Sequence, residues 1–148
     1  MGRDFLTSTL SPREREKGVR FAGYAAVFDR GDRGGDVVRP GAFAASLKTR
    51  GEVPLLWQHR AGVVIGTIEH LSEDARGLRV IGRLSGGSDA RRVAELLGKG
   101  MIDGLSFGYR VRETAACGSL RELREVELIE VSVVADPMQP RARIHAIE

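Results

Sequence analysis

The sequence predicts a mainly β (α+β) domain: a compact, mostly antiparallel β-barrel with two or more covering helices. Three observations lead there. Short apolar runs, several of them alternating, recur between Gly- and Asp-rich clusters. Glycine supplies 19 of 148 residues, which favours many turns and short strands over a helical bundle. The two helical segments do not alternate with strands as βαβ units, so a doubly wound parallel sheet is not expected. The length suits one domain, and aromatic residues are only 5%, so the core must be mostly aliphatic.

Residues 1–18 are polar and charged and read as a flexible lead-in. VRFAGYAAVF (19–28) reads as the first strand, with Gly23 marking a bulge or bend. DRGDRGGD (29–36) is a Gly/Asp loop without the ligand spacing of a calcium loop. Val37-Val38 is a short apolar step. Pro40-Gly41 turns the chain into a short helix, AFAASLKTRG (42–51), closed by Gly51. VPLLWQH (53–59) is a compact apolar run of buried-strand type. VVIGTIEHL (63–71) and LRVIGRLS (78–85), joined by a turn over 72–77, form a hairpin.

Ser88-Asp89 open a second helix whose Val93, Leu96 and Leu97 share one face. That face is expected to pack on its own barrel rather than on a partner. IDGLSFGYRVRET (102–114) passes from turn to strand, and LRELREVELIEVSVVA (120–135) is strand again. Asp136-Pro137 stops it, and a short tail follows Pro140. The expected division is a lead-in over 1–18, one domain over 19–145 and a tail over 146–148.

Several function classes are disfavoured. Lys plus Arg is 23 against 20 for Asp plus Glu, and the signs alternate, so no basic block tracks a phosphate backbone. No specific nucleic-acid partner is expected. No apolar run is long enough to cross a bilayer, and the first residues lack the apolar centre of a signal peptide, so no membrane role is expected. The single cysteine, Cys117, excludes an internal disulfide and fits a reducing compartment. Three histidines and one cysteine lack the paired spacings of a zinc site, and GDRGGD lacks the ending of a phosphate-binding loop. No metal or cofactor is expected.

Three residues carry candidate chemistry. His59 ends the apolar run Leu55-Leu56-Trp57, where an imidazole is held firmly yet can reach a cleft and move a proton near neutrality. Ser106 sits in Gly104-Leu105-Ser106-Phe107-Gly108. This is spelled like a nucleophile elbow, but a helix precedes it and a strand follows, the reverse of that motif. Glu130 lies inside Leu128-Ile129-Glu130-Val131-Ser132-Val133-Val134, where a buried carboxylate needs a partner. Alternation puts Glu130 and Ser132 on one face with Leu128 and Val134. Together they are the parts of a hydrolytic triad: serine, the base that activates it, and the acid that orients the base.

The assembled pattern resembles the prohead (procapsid maturation) protease family of tailed phages and gene transfer agents. The pieces are FAGYAAVFD (21–29), GDVVRPGAFAASL (35–47), VPLLWQH (53–59), VIGTIEHLSEDARGLRVIGRL (64–84), LLGKGMIDGLSFGYRV (96–111) and ELIEVSVVADPMQPRARI (127–144). Relatives of that family are the herpesvirus assembly proteases, so the resemblance implies an assemblin-like barrel ringed by helices. It implies His59 as general base, Ser106 as nucleophile and Glu130 as third member, where the herpesvirus enzymes use a second histidine. Asp103 is the reserve for that place. Backbone N–H groups near Arg141-Ala142-Arg143, or a water held by arginine, are implied as the oxyanion site.

The resemblance further implies a serine endopeptidase that cleaves the major capsid protein, scaffold and itself in the bacterial cytoplasm, inside the immature capsid. The lead-in and the tail after Pro140 are the expected self-cleavage regions. A homodimer or higher assembly is implied. Two rival readings are a non-catalytic barrel that binds capsid or scaffold chains by strand addition, and a small esterase using the same triad.

Overall fold

The computed structural model describes residues 18–148, so residues 1–17 of the lead-in, with any cleavage site there, lie outside the described residues. The chain runs β1 (Val19–Val27), β2 (Asp36–Val38), α1 (Ala44–Thr49), β3 (Leu55–Trp57), β4 (Val64–Glu73), β5 (Gly77–Leu84), α2 (Ser88–Gly98), β6 (Gly104–Cys117), β7 (Leu120–Val134) and β8 (Ile144–Ile147). All the strands join one curled sheet.

The long strand β7 organises it. Along one edge β7 pairs antiparallel with β6. Its other edge takes β2 near the start and β3 near the end, both parallel. Between those two, the α1 segment fills the edge: Val126 N–H donates to the Ala42 carbonyl at 3.0 Å, and Leu128 N–H to Ser46 Oγ at 2.9 Å. A segment that would otherwise leave buried backbone donors unpaired is thereby satisfied. From β3 the sheet continues antiparallel through β4, β5, β1 and β8. The sheet is mostly antiparallel, as expected, and the two parallel pairs arise because β2 and β3 each reach β7 through long connections rather than hairpins.

The two ends of the sheet meet at an isolated bridge between Gly104 and Arg143. There Leu105 N–H donates to the Ala142 carbonyl at 2.9 Å and Ile144 N–H to the Asp103 carbonyl at 2.7 Å. Gly23 on β1 passes beneath this seam. A Cβ at Gly23 would lie 2.4 Å from the Arg143 carbonyl oxygen and 2.9 Å from Leu105 Cδ1. The glycine is required by close approach, and the ladder to β5 shifts just after it, between Tyr24 and Ala26.

The segment after Pro140 is not the tail expected from the sequence. Residues 144–147 form β8 and pair with β1 across the boundary expected at 145. Only four residues long, β8 alternates too briefly to stand out in the sequence. The first helix is also shorter than expected: α1 covers six residues and buries none of them fully. In its place the turn before it is pinned, with both Glu73 carboxylate oxygens accepting from Gly41 N–H and Phe43 N–H at 2.8 Å.

Helix α2 behaves as its pattern predicts. Ala90, Val93 and Leu97 are buried against β4 and β5, with Leu96 partly buried at the margin. The apolar face covers its own sheet. The core beneath is aliphatic with a few rings: Leu55, Ile65, Leu78, Leu105 and Val131 are fully enclosed, with Phe21 and Phe43 among them.

Candidate active site

The local folding of β3 and β7 brings His59 onto Glu130. β3 runs beside β7 with Leu56 opposite Ser132 and Trp57 opposite Val133. At the end of β3 the chain turns sharply. Gln58 and His59 adopt φ of 53° and 61°, a left-handed conformation uncommon for residues with side chains. Three hydrogen bonds hold this turn. Gln58 N–H donates to the Val133 carbonyl at 3.0 Å, Gln58 Oε1 accepts from Ala135 N–H at 2.8 Å, and His59 N–H donates to Ser132 Oγ at 3.0 Å.

The turn sets the imidazole against the carboxylate. His59 Nδ1 lies 2.7 Å from Glu130 Oε2 and 3.1 Å from Oε1. A carboxylate only accepts, so Nδ1 carries the proton and, in the neutral ring, Nε2 is left as the base. The Glu130 side chain is 8% exposed and that of His59 43% exposed, so the acid is enclosed and the ring reaches solvent. The hydrogen bond to Glu130 raises the His59 pKa above its ordinary value, against the opposing pull of partial burial.

Ser106 comes from the other side of β7. In the β6–β7 ladder Ser106 lies opposite Ser132 and Gly108 opposite Glu130. The two short β6 residues thus border the two polar β7 residues. Ser106 is buried except for a small accessible patch, and with His59 it lines a cleft of about 360 Å³. Its walls include Ala25, Ala26, Phe107, Val134 and Met138. Among the described residues no hydrogen bond joins the Ser106 hydroxyl to the His59 ring. The structure therefore brings His59 and Glu130 into contact and gives Ser106 the same cleft.

One sequence inference needs correcting. Glu130 and Ser132 do not share a face with Leu128. The ladder slips so that Gly108 pairs with Glu130 and Tyr109 with Leu128, leaving Ile129 as an extra residue. This bulge shifts the phase: Leu128, Val131 and Val133 belong to the core, while Val134 lines the cleft. Simple alternation cannot register an inserted residue.

The reserve acid is corrected as well. Asp103 is exposed and pairs with Arg143 at 2.7 Å, away from His59. Of the implied oxyanion donors, Arg141 N–H donates to Gln139 Oε1 at 2.8 Å and Ala142 N–H to the Gln139 carbonyl at 2.9 Å. The sheet seam at Gly104–Arg143 explains the position of Asp103, because it draws Asp103 and Arg143 together.

Two residues escaped the sequence reading. Ser132, wholly buried, donates to Glu130 Oε1 at 2.9 Å while accepting from His59 N–H. Its signal was the i, i+2 spacing from Glu130. Asp36, assigned to the Gly/Asp loop, is instead a buried strand residue bordering the cleft. Arg121 grips it with two bonds of 2.8 and 2.9 Å, and the Tyr109 hydroxyl donates to it at 3.0 Å. These partners, Arg121 foremost, hold the Asp36 carboxyl below its usual range, whereas burial pushes the Tyr109 phenol up. The loop reading itself stands for Asp32, whose Oδ1 caps the N–H groups of Gly34 and Asp36 at 2.8 and 2.9 Å.

Comparison with known proteins agrees with the resemblance read from the sequence. The prohead protease of Enterobacteria phage HK97 is 32% identical, over 86% of this chain and 60% of the relative. The capsid scaffolding protein of equine herpesvirus 1 (strain Ab4p) is 30% identical over 64% of this chain and 15% of its own length. This chain thus spans less than two thirds of the curated relatives it matches. Among solved structures, the bacteriophage T4 capsid assembly protease superposes with a TM-score of 0.63 at 15% identity, covering 79% of this chain and 82% of that one. The Kaposi's sarcoma-associated herpesvirus (KSHV) protease, solved with a hexapeptide phosphonate inhibitor, gives 0.59 at 12% identity, covering 88% and 65%. These two share the fold, as the assemblin-like expectation required. The model of the caudovirus prohead serine protease family matches residues 8–148, and the chain belongs to that family.

Proposed function

We propose that this chain is a serine endopeptidase that cuts capsid and scaffold polypeptides, and itself, during procapsid maturation in the host cytoplasm. The observation that carries the reading is the 2.7 Å contact between His59 Nδ1 and the enclosed Glu130 carboxylate, beside a cleft that Ser106 also lines. A buried acid against one ring nitrogen leaves the other as a base of defined direction. The family membership supports peptide bonds as the substrate class.

The chemistry follows from those groups. The substrate carbonyl enters between Ser106 and His59, and the imidazole Nε2 takes the hydroxyl proton as Oγ attacks the carbonyl carbon. Glu130 stabilises the imidazolium so formed without taking its proton. His59 then gives that proton to the leaving amine, and the C–N bond breaks to leave an acyl ester on Ser106. Water attacks the ester with His59 again as base, releasing the new carboxylate and restoring the serine. The missing Ser106–His59 hydrogen bond is expected to form as substrate closes the cleft, since such bonds are often long without ligand.

Co-expression with the capsid protein tests the reading. The native chain should trim it, and Ser106→Ala and His59→Ala should not. Trimming by Ser106→Ala would remove the proposal. Hydrolysis of short acyl esters without any peptide cleavage would favour the esterase, and binding without either would favour a non-catalytic barrel. Self-association, expected for this reading, is measured by sedimentation over a concentration series.

A further inference from the structure

The most informative unassigned group is a buried hydroxyl that the hydrolytic scheme above does not use. We propose that Ser132 is a positioning residue that locks His59 and Glu130 into one geometry by bonding to both. The inference deepens the peptidase reading and rests on it for its catalytic meaning, though the locking itself is a structural property.

The hydroxyl both donates and accepts. Its one proton goes to Glu130 Oε1 at 2.9 Å, and one of its lone pairs accepts His59 N–H at 3.0 Å. One side chain therefore fixes the backbone of the base and the carboxylate of the acid at once. Both need fixing. His59 and Gln58 sit in left-handed backbone, a conformation that persists only where surrounding bonds over-determine it. A carboxylate held by the ring alone can rotate about its own axis and lose the 2.7 Å contact.

The site has no substitute for this group. Ser132 is 0% exposed, so water does not reach the hydroxyl to replace it. Its ladder partners are Ser106 on β6 and Leu56 on β3. Neither supplies a hydrogen bond to Glu130 or to His59 N–H. Ser132 thus stands between the candidate nucleophile and the base, and tethers the base to the central strand.

The test compares Ser132→Ala with the native chain by two readouts. The first is the rate at which a fluorophosphonate labels Ser106. Loss of alignment at a reacting centre is expected to slow labelling by about ten- to a hundredfold. The second is the His59 ring titration by NMR, run in a Ser106→Ala background. With the carboxylate released, the midpoint should fall toward that of a free imidazole. Other charged groups bordering the same hollows are Arg30, Asp32, Asp36 and Asp136 along the cleft and Arg110 on the outer side. None of them contacts the ring, so the fall reports on Glu130.

Ser132→Cys, which keeps a weak donor and acceptor, should give intermediate values and serves if the alanine variant does not fold. Native labelling and an unmoved His59 midpoint in the variants would overturn the inference. A native chain that is not labelled at Ser106 would instead count against the peptidase reading, while the titration still decides whether Ser132 locks the pair.

Discussion

Gly108 lies directly opposite Glu130 in the β6–β7 ladder, and its missing side chain makes room for the carboxylate. A Cβ there would sit 2.9 Å from Glu130 Cγ, Cδ and Oε2. The second glycine of the GLSFG segment is thus explained by a residue on the neighbouring strand, not by a turn at the serine.

Gly108→Ala should therefore inactivate more than it destabilises. The atoms it meets are the far end of a side chain, which can swing away from His59. Expected is a loss of about 1–2 kcal/mol in stability, with labelling of Ser106 slowed by about tenfold or more. Gly23→Ala should do the opposite in kind. Its Cβ would strike backbone at the sheet seam, so the expected loss is about 3 kcal/mol. Denaturant melts beside labelling rates separate the two.

The acid assignment predicts a sharp contrast. Glu130→Gln retains shape but loses the carboxylate that fixes the ring tautomer, and turnover should fall by roughly ten-thousandfold. Asp103→Asn should leave turnover near native and shift stability by less than about 1 kcal/mol, because its pair with Arg143 is exposed. Steady-state cleavage of a peptide reporter, with circular dichroism as the folding control, checks both.

The pH dependence follows from the raised His59 pKa, whose main cause is the bond to Glu130. The base form of His59 is needed, so activity should rise with pH through a midpoint above the ordinary imidazole value of about 6.5. In Glu130→Gln that limb should move to lower pH. For stability the sign is reversed. A group with its folded pKa raised stabilises fully below the unfolded value, and the contribution fades as pH rises through the folded midpoint. The stability that His59 contributes should therefore decline from about 6.5 upward, and a His59→Ala series of melts across that range measures it.

Helix α2 should matter for folding alone. Leu97 is 1% exposed and packs into the core remote from His59. Leu97→Ala should cost about 2–5 kcal/mol while leaving activity per folded molecule unchanged, as an active-site titration would report.

Strand β5, with its clean period, and the amphipathic face of α2 were legible because local pattern determines them, whereas β4 alternates only up to the bulge between Ile68 and His70. The triad candidates were legible partly from chemistry, a carboxylate inside an apolar run and an imidazole at a strand end, and partly from the family resemblance. What sequence could not supply was phase and closure. The bulge at Ile129 resets which β7 residues face the core, and no local signal marks it. The pairing of β8 with β1 and of Arg143 with Asp103 depends on residues tens of positions apart. Ser132 was placed beside Glu130 by spacing, but its bond to His59 N–H arises only from the left-handed turn after Trp57.

The most direct measurement is to treat the native chain with a peptidyl phosphonate and map the adduct by mass spectrometry. One adduct is expected, on Ser106, forming faster as pH rises through the His59 midpoint and absent in His59→Ala. An adduct on another residue, or equal labelling of Ser106 without His59, would contradict it.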